Sequence, residues 1–355
     1  MTQLIKEKKT SIIFNADDTK AIVKKRNNEQ TYLYDFNFDT KIKIDVFGLG
    51  IFSVAFSKEN DYVTLLLYDK KTCDLEKLLI VNCKTGEAVK TVSIKDYVQD
   101  DVGLIAPVHN SKNYIVVSLQ KSNASGAVLL VVDLNNNFSV CVKDFHRTVI
   151  TTVHCIENKL LVLSTKGFIY SLECPNLKIM DEYLYDKGIL CSVKSYDCCG
   201  KIQIYSFIHP NLMPYRKYMV SEFDVLSGKI KQISKYTKRQ RKMPEPDQYL
   251  FDKGCILATK TKRKFLKRER IYGAYKIENL DFIGEFLISD NSVSFFDGEK
   301  TVEILTSDDI NLSDNEKILQ YDLSNTGKYS IVYTNKFTYV FDKTEDGSKP
   351  LKKSD

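Results

Sequence analysis

Between Leu323 and Lys343 the chain reads LSNTGKYSIVYTNKFTYVFDK. Ser324-Asn325-Thr326-Gly327-Lys328 is turn chemistry, because Asn and Gly tolerate positive φ. Tyr329, Ile331 and Tyr333 then alternate with Ser330, Val332 and Thr334, a period of two that sends side chains to opposite faces of a strand. Asn335-Lys336 turns the chain, and Phe337, Tyr339 and Phe341 alternate again before Asp342. The same strand–turn–strand pattern recurs upstream. IIFNADDTKAIVKK precedes TYLYDFNFDTKIKI, and SVAFSKENDYVTLLLYD precedes LLIVNCKTGEAVKTV. APVHNSKNYIVVSLQ precedes VLLVVDLNNNFSVCV, TTVHCIENKLLVLST precedes FIYSLECPNLKIMDEY, and CSVKSYDCCGKIQIYSF precedes YMVSEFDVLSGKIKQI.

The unit is therefore four short strands. Its second halves begin near residues 31, 78, 128, 168, 218, 292 and 337, steps of 47, 50, 40, 50, 74 and 45. Four strands repeated at this period predict an all-β fold, a seven-bladed β-propeller of antiparallel four-stranded blades. A single meander has two apolar faces and cannot bury either alone; neighbouring blades cover one another. Six or eight blades are the alternatives. The 74-residue step is the irregular place: IYGAYKIENLDFIGEF, from Ile271, reads as a further hairpin. It is either an insertion around 235–284 in the sixth blade or a reduced eighth blade. The expected organisation is one propeller domain over 1–343, followed by a polar, disordered tail over 344–355.

Tyr34-Asp35, Val132-Asp133, Phe223-Asp224, Phe296-Asp297 and Phe341-Asp342 close the third strand of several units. They stand where the WD40-repeat family places its Trp-Asp pair, and LSNTGKYSIVY resembles that family's turn and second strand. The chain resembles a degenerate WD40 propeller across nearly its whole length, with no Trp and no Gly-His dipeptide. The resemblance implies an interaction scaffold, with protein partners in a larger complex. It also implies that an N-terminal strand, Thr2-Gln3-Leu4-Ile5-Lys6, closes the ring by joining the last blade.

Composition changes this picture little. Tyr and Phe number 21 and 19, residue types that suit half-buried pleated surfaces. The nine Cys include no Cys-x-x-Cys, so reduced thiols in an intracellular protein, cytoplasmic or nuclear, are expected. The N-terminus has no signal-like apolar stretch, and no run approaches the roughly 20 apolar residues of a membrane helix. No catalytic residue, cofactor or metal ligand set is assigned. His109 and His154 fall at corresponding places late in a first strand, and satisfied or solvated imidazoles explain them. Gly48-Leu49-Gly50 lacks the third Gly and the helix of a dinucleotide site. Cys198-Cys199 reads as part of an exposed turn. Asp17-Asp18, Asp100-Asp101 and Asp308-Asp309 read as solvated turns.

Charge is the sharp feature. From Lys229 to Arg270 there are fifteen Lys/Arg against four Asp/Glu, a net of +11 in a chain of net +6, which leaves −5 for the rest. The candidate binding residues are Lys238, Arg239, Arg241, Lys242, Lys260, Lys262, Arg263, Lys264, Lys267, Arg268 and Arg270, with Tyr236, Phe265 and Tyr272 interleaved. A solvated loop, a contact to RNA or DNA in which aromatics stack on bases, and an import signal or acidic-partner contact all fit. The Phe-Arg-Arg-Gly motif of phosphoinositide-binding propellers is absent, which argues against peripheral membrane contact. The functional expectation is a non-catalytic scaffold; the alternative is a propeller-type enzyme with a site in the central channel.

Overall fold

The computed structural model describes residues 2–8, 10–25, 30–57, 59–98, 108–121, 126–156, 158–185, 189–198, 201–209, 215–239, 245–250, 254–264 and 267–342. After the first strand, β1 (Thr2–Lys8), the chain lays down antiparallel meanders. The first is β2 (Thr10–Phe14), β3 (Lys20–Lys25), β4 (Thr31–Asp35) and β5 (Thr40–Ile44). The second is β6 (Gly50–Phe56), β7 (Tyr62–Tyr68), β8 (Leu75–Asn82) and β9 (Ala88–Ser93). The third is β10 (Val108–Asn110), β11 (Tyr114–Gln120), β12 (Gly126–Asp133) and β13 (Ser139–His146). The fourth is β14 (Ile150–Ile156), β15 (Lys159–Ser164), β16 (Phe168–Glu173) and β17 (Lys178–Leu184). The fifth is β18 (Ile189–Cys198), β19 (Lys201–His209), β20 (Tyr215–Asp224) and β21 (Ile230–Arg239).

The sixth sheet has six strands in sequence order: β22 (Glu245–Leu250), β23 (Cys255–Lys264), β24 (Lys267–Lys276), β25 (Phe282–Ile288), β26 (Ser292–Phe296) and β27 (Thr301–Thr306). A single helical turn, α1 (Ser307–Ile310), follows; Thr306 and Asp309 cap it reciprocally. The seventh sheet is β28 (Ile318–Leu323), β29 (Tyr329–Thr334), β30 (Phe337–Asp342) and, beside β30, β1. Seven sheets make a seven-bladed β-propeller. The expected closure is present: β1 pairs antiparallel with β30 from Thr2↔Asp342 to Lys8↔Phe337, with one bulge between Gln3 and Ile5. The hairpin at Ile271 belongs to the six-stranded sixth sheet and not to an eighth blade.

The chain divides into two compact units, residues 41–237 and residues 1–40 with 238–355. In residues 41–237 the period of two decides what each strand buries. On β11, Ile115, Val117 and Leu119 pack with Leu66, Leu78 and Ile80 of the preceding blade, while Tyr114 and Val116 pack with Leu160, Val162 and Leu172 of the following one. On β15, Leu160 and Val162 join the second of these interfaces and Leu161 and Leu163 the next one round, with Ile202, Ile204 and Phe223. This is why the inner strands read as nearly unbroken apolar runs, buried on both faces. In the other unit Tyr339 and Phe341 of β30 pack with Phe286, Phe295 and Tyr321, whereas Val340 packs with Ile5, Ile12 and Phe14.

Candidate functional site

Of the eleven basic candidates, Lys238 and Arg239 end β21, and Arg241 and Lys242 lie outside the described residues. The other seven lie on β23 and β24. Register sets Lys264 opposite Lys267, Arg263 opposite Arg268, Lys262 opposite Glu269 and Thr261 opposite Arg270. Among the described residues, β22 pairs with β23 only as far as Thr259, and β25 pairs with β24 only from Tyr272. From Lys260 to Ile271 the two strands therefore pair only with each other among the described residues. They extend the sheet as a two-stranded ribbon, roughly 14 Å long at the usual antiparallel rise. Seven cationic residues and one acid share it.

One expected partner of that ribbon is committed elsewhere. The Tyr272 ring lies 5.6 Å from Phe286, and its hydroxyl donates to Asp322 Oδ1 at 3.5 Å. It is partly buried and packs against the core of its own unit. Phe265 lies outside the described residues, and Tyr236 is partly buried on β21.

The third-strand acids act as turn formers. Asp35 Oδ1 accepts from the Asn37 amide at 3.0 Å, and Asp133 Oδ1 from that of Asn135 at 2.9 Å. Asp224 Oδ1 accepts both the amide and the hydroxyl of Ser227 at 2.8 Å, which hold its carboxyl below the usual range. Asp297 is held low in the same way by the amides of Lys300 and Glu299. Phe296-Asp297, however, ends the fifth strand of its sheet and not the third. Asn82 does the same work at the end of β8, accepting from the amides of Lys84 and Thr85, and sequence reasoning passed over it.

Two buried carboxylates also escaped the sequence reading. Asp17 is exposed, as expected of a solvated turn, but Asp18 is fully buried. Asp18 Oδ2 accepts the hydroxyls of Ser324 and Thr326, both at 2.5 Å, and the Thr326 amide at 2.9 Å; Oδ1 accepts the Asn325 amide at 3.0 Å. The first blade thus holds the β28–β29 turn of the last. Glu316, just before β28, accepts the Thr334 hydroxyl at 2.5 Å, the Tyr339 hydroxyl at 2.9 Å and the Ser313 hydroxyl at 2.8 Å. Burial would raise its pKa, but these hydrogen bonds, led by Thr334, outweigh it and hold the carboxyl below its ordinary value.

A recess of about 650 Å³ opens beside these groups, within the unit formed by residues 1–40 and 238–355. Gln248, Tyr272, Gln320, Asp322, Asn325 and Tyr333 line it, together with apolar side chains such as Ile13 and Leu319.

Among the described residues no group of three His, Cys, Asp or Glu could hold a metal ion. Cys73, Cys83, Cys141, Cys155, Cys174 and Cys255 are free thiols. Burial pushes Cys155 up to about 11 and Cys174 up to about 12, so neither is a ready nucleophile. Among the described residues no helix is long and apolar enough to cross a membrane.

No protein-family model matches the sequence, and no curated protein matches it. Solved structures do. The chain is similar to BamB from Moraxella catarrhalis, with TM-score 0.54 and 11% identity over 96% of this chain and 99% of that one. It is similar to the Dos1 propeller, with TM-score 0.53 and 10% identity over 96% and 94%. The Cps50 (Swd1) β-propeller domain of Myceliophteria thermophila aligns at TM-score 0.49 and 12% identity over 97% and 100%. At such identities the likeness is one of fold, the β-propeller.

Proposed function

We propose that this chain is a non-catalytic interaction scaffold of WD40-like type, acting within a larger complex, whose basic ribbon contacts nucleic acid or an acidic protein. The observation that carries this reading is the ribbon from Lys260 to Ile271: seven Lys/Arg against one Glu on strands that, among the described residues, pair there only with each other. Cations gathered in this way displace condensed counterions from a polyanion, and a two-stranded ribbon fits the width of a major groove. The WD40-like character is supported by the turn-forming acids that close β4, β12 and β20 and by the strand exchange of β1. Free thiols fit a reducing compartment, cytoplasm or nucleus.

The test replaces Arg239, Arg241, Lys242, Arg263, Lys264 and Arg268 together by Ser. Thermal stability is expected to stay near wild type, since such surface changes usually cost within ~0.5 kcal/mol each. Binding to a single-stranded RNA, a DNA duplex or a poly-glutamate chain should fall. On duplex DNA the slope of log K against log salt should shrink by up to about 5 if all six residues neutralise phosphates. Affinity and slope equal to wild type on all three probes would remove the proposal. Affinity purification with and without nuclease then separates company held by protein from company held by nucleic acid.

A further inference from the structure

The register of the basic ribbon sorts its cations by type. Directly opposed residues of an antiparallel pair share a face, and successive pairs alternate between the two faces. From Cys255↔Lys276 to Lys264↔Lys267 the pairing of β23 with β24 runs in one unbroken register. One set of alternate pairs therefore holds Thr259↔Tyr272, Thr261↔Arg270 and Arg263↔Arg268. The other holds Lys260↔Ile271, Lys262↔Glu269 and Lys264↔Lys267. All three arginines of the ribbon fall at positions of the first face, and all four lysines at positions of the second. Nearer the body of the sheet the packing follows the same alternation. Cys255, Leu257, Ala274 and Tyr272, all of the arginine parity, join one apolar cluster.

We propose that the ribbon enters the major groove of duplex DNA with its arginine face to the base edges, where it prefers guanine, while its lysine face supplies sequence-independent attraction to phosphates. This rests on the reading of the ribbon as a polyanion contact and narrows it to one ligand. Arginine's planar fork pairs with two acceptors at once, and the major-groove edge of guanine presents two, O6 and N7. Lysine is a compact, hydrated point charge that suits a phosphate. Arg263 and Arg268 are directly opposed, and Arg270 stands two residues along β24, roughly 7 Å, the rise of about two base pairs. A major groove about 12 Å wide admits a two-stranded ribbon. The major groove of duplex RNA is too deep and narrow for side chains to read. An acidic protein held by charge alone gives no reason for arginine and lysine to keep to separate faces.

The test titrates the full chain, by fluorescence anisotropy at fixed salt, with three duplexes of equal length. One alternates G·C pairs, one alternates A·T pairs, and the third is the G·C duplex with 7-deazaguanine for guanine, which removes the N7 acceptor and leaves the charge untouched. The G·C duplex should bind at least about tenfold more tightly than the A·T duplex, the discrimination of one or more forked pairs. The 7-deazaguanine duplex should fall back toward the A·T value. Arg263→Lys, Arg268→Lys and Arg270→Lys together keep every charge; they should bring the G·C and A·T duplexes within about threefold of each other and leave the salt slope as in wild type. Lys260→Ser, Lys262→Ser, Lys264→Ser and Lys267→Ser together should do the reverse, keeping the preference while lowering affinity for every duplex and cutting the salt slope by up to about 4. Equal binding of the G·C duplex and either of the others overturns the proposal and leaves the polyanion reading standing. So does a preference that survives the arginine variant or vanishes with the lysines. Binding of poly-glutamate without duplex DNA overturns it in favour of an acidic partner, and no binding to any polyanion overturns both. The unaltered chain carries the 7-deazaguanine comparison, so a variant that fails to fold leaves the test intact.

Discussion

Asp18 sits in left-handed backbone, φ 59°, with no solvent exposure, and holds four donors of a turn more than three hundred residues away in sequence. Asp18→Ala leaves those donors without their acceptor. It should destabilise the protein by on the order of 3 kcal/mol, read as a lower urea midpoint. A midpoint equal to wild type would show that the turn stands without it. Glu316 makes a pH prediction. Its folded pKa is depressed, so between the folded and unfolded values the unfolded chain binds more protons. The stabilisation is complete above about pH 5 and is lost as pH falls through the folded pKa. Glu316→Gln should flatten the acid limb of stability against pH; an unchanged limb would remove the assignment. Neither carboxylate was legible in the sequence. A pair such as Asp17-Asp18 looks like any solvated turn, and only the docking of a distant strand buries one member and leaves the other in water.

At the scale of elements, the alternation of apolar and polar residues carried most of the information. It located the four-strand units and the count of seven, because a strand buried between two blades must offer an apolar residue to each; the closing strand came from the WD40 resemblance. The pattern failed in the sixth sheet. Phe296-Asp297 looked like the close of a third strand, yet two more strands precede it in that sheet. From Lys260 to Arg270 the residues of β23 and β24 are mostly charged, so no apolar period announces them, and it is their cross-strand register that shows them as strands. Where the apolar signal holds, it predicts energetics. Phe341 is fully buried among Tyr321, Tyr339 and Phe286. Phe341→Ala should therefore cost roughly 3–5 kcal/mol, and a thermal shift within error of wild type would show the interface does not need it.

Over the whole molecule, charge is segregated: +11 within residues 229–270 and −5 elsewhere. Replacing the six basic residues Arg239, Arg241, Lys242, Arg263, Lys264 and Arg268 by Ser brings the formal net charge to zero, so weaker polyanion binding alone does not distinguish a local contact from a global field. A matched variant does. Lys70, Lys71, Lys84, Lys166, Lys178 and Lys300 are exposed and lie outside the basic segment. Changing these six to Ser alters net charge identically and should leave polyanion affinity within about threefold of wild type, since exposed charges beyond a Debye length are largely screened. An equal loss in both variants would mean that the field of the whole chain, and not the ribbon, attracts the polyanion. The sequence disclosed this segregation directly, because counting needs no geometry. It could not disclose the recess beside β28, whose lining is gathered from residues distant in sequence.

The pairing of β1 with β30 ties residues near 2–8 to residues near 337–342, and Thr10 exchanges hydrogen bonds with Thr338 across 328 positions. During synthesis on the ribosome, the last blade cannot be finished until Phe337–Asp342 has left the exit tunnel. Until then Ile5 and its neighbours wait as an unpaired apolar edge, and the slow closure of so long a loop sets when that exposure ends. Newly made chains of this protein should thus depend on chaperones at β1 until β30 has emerged.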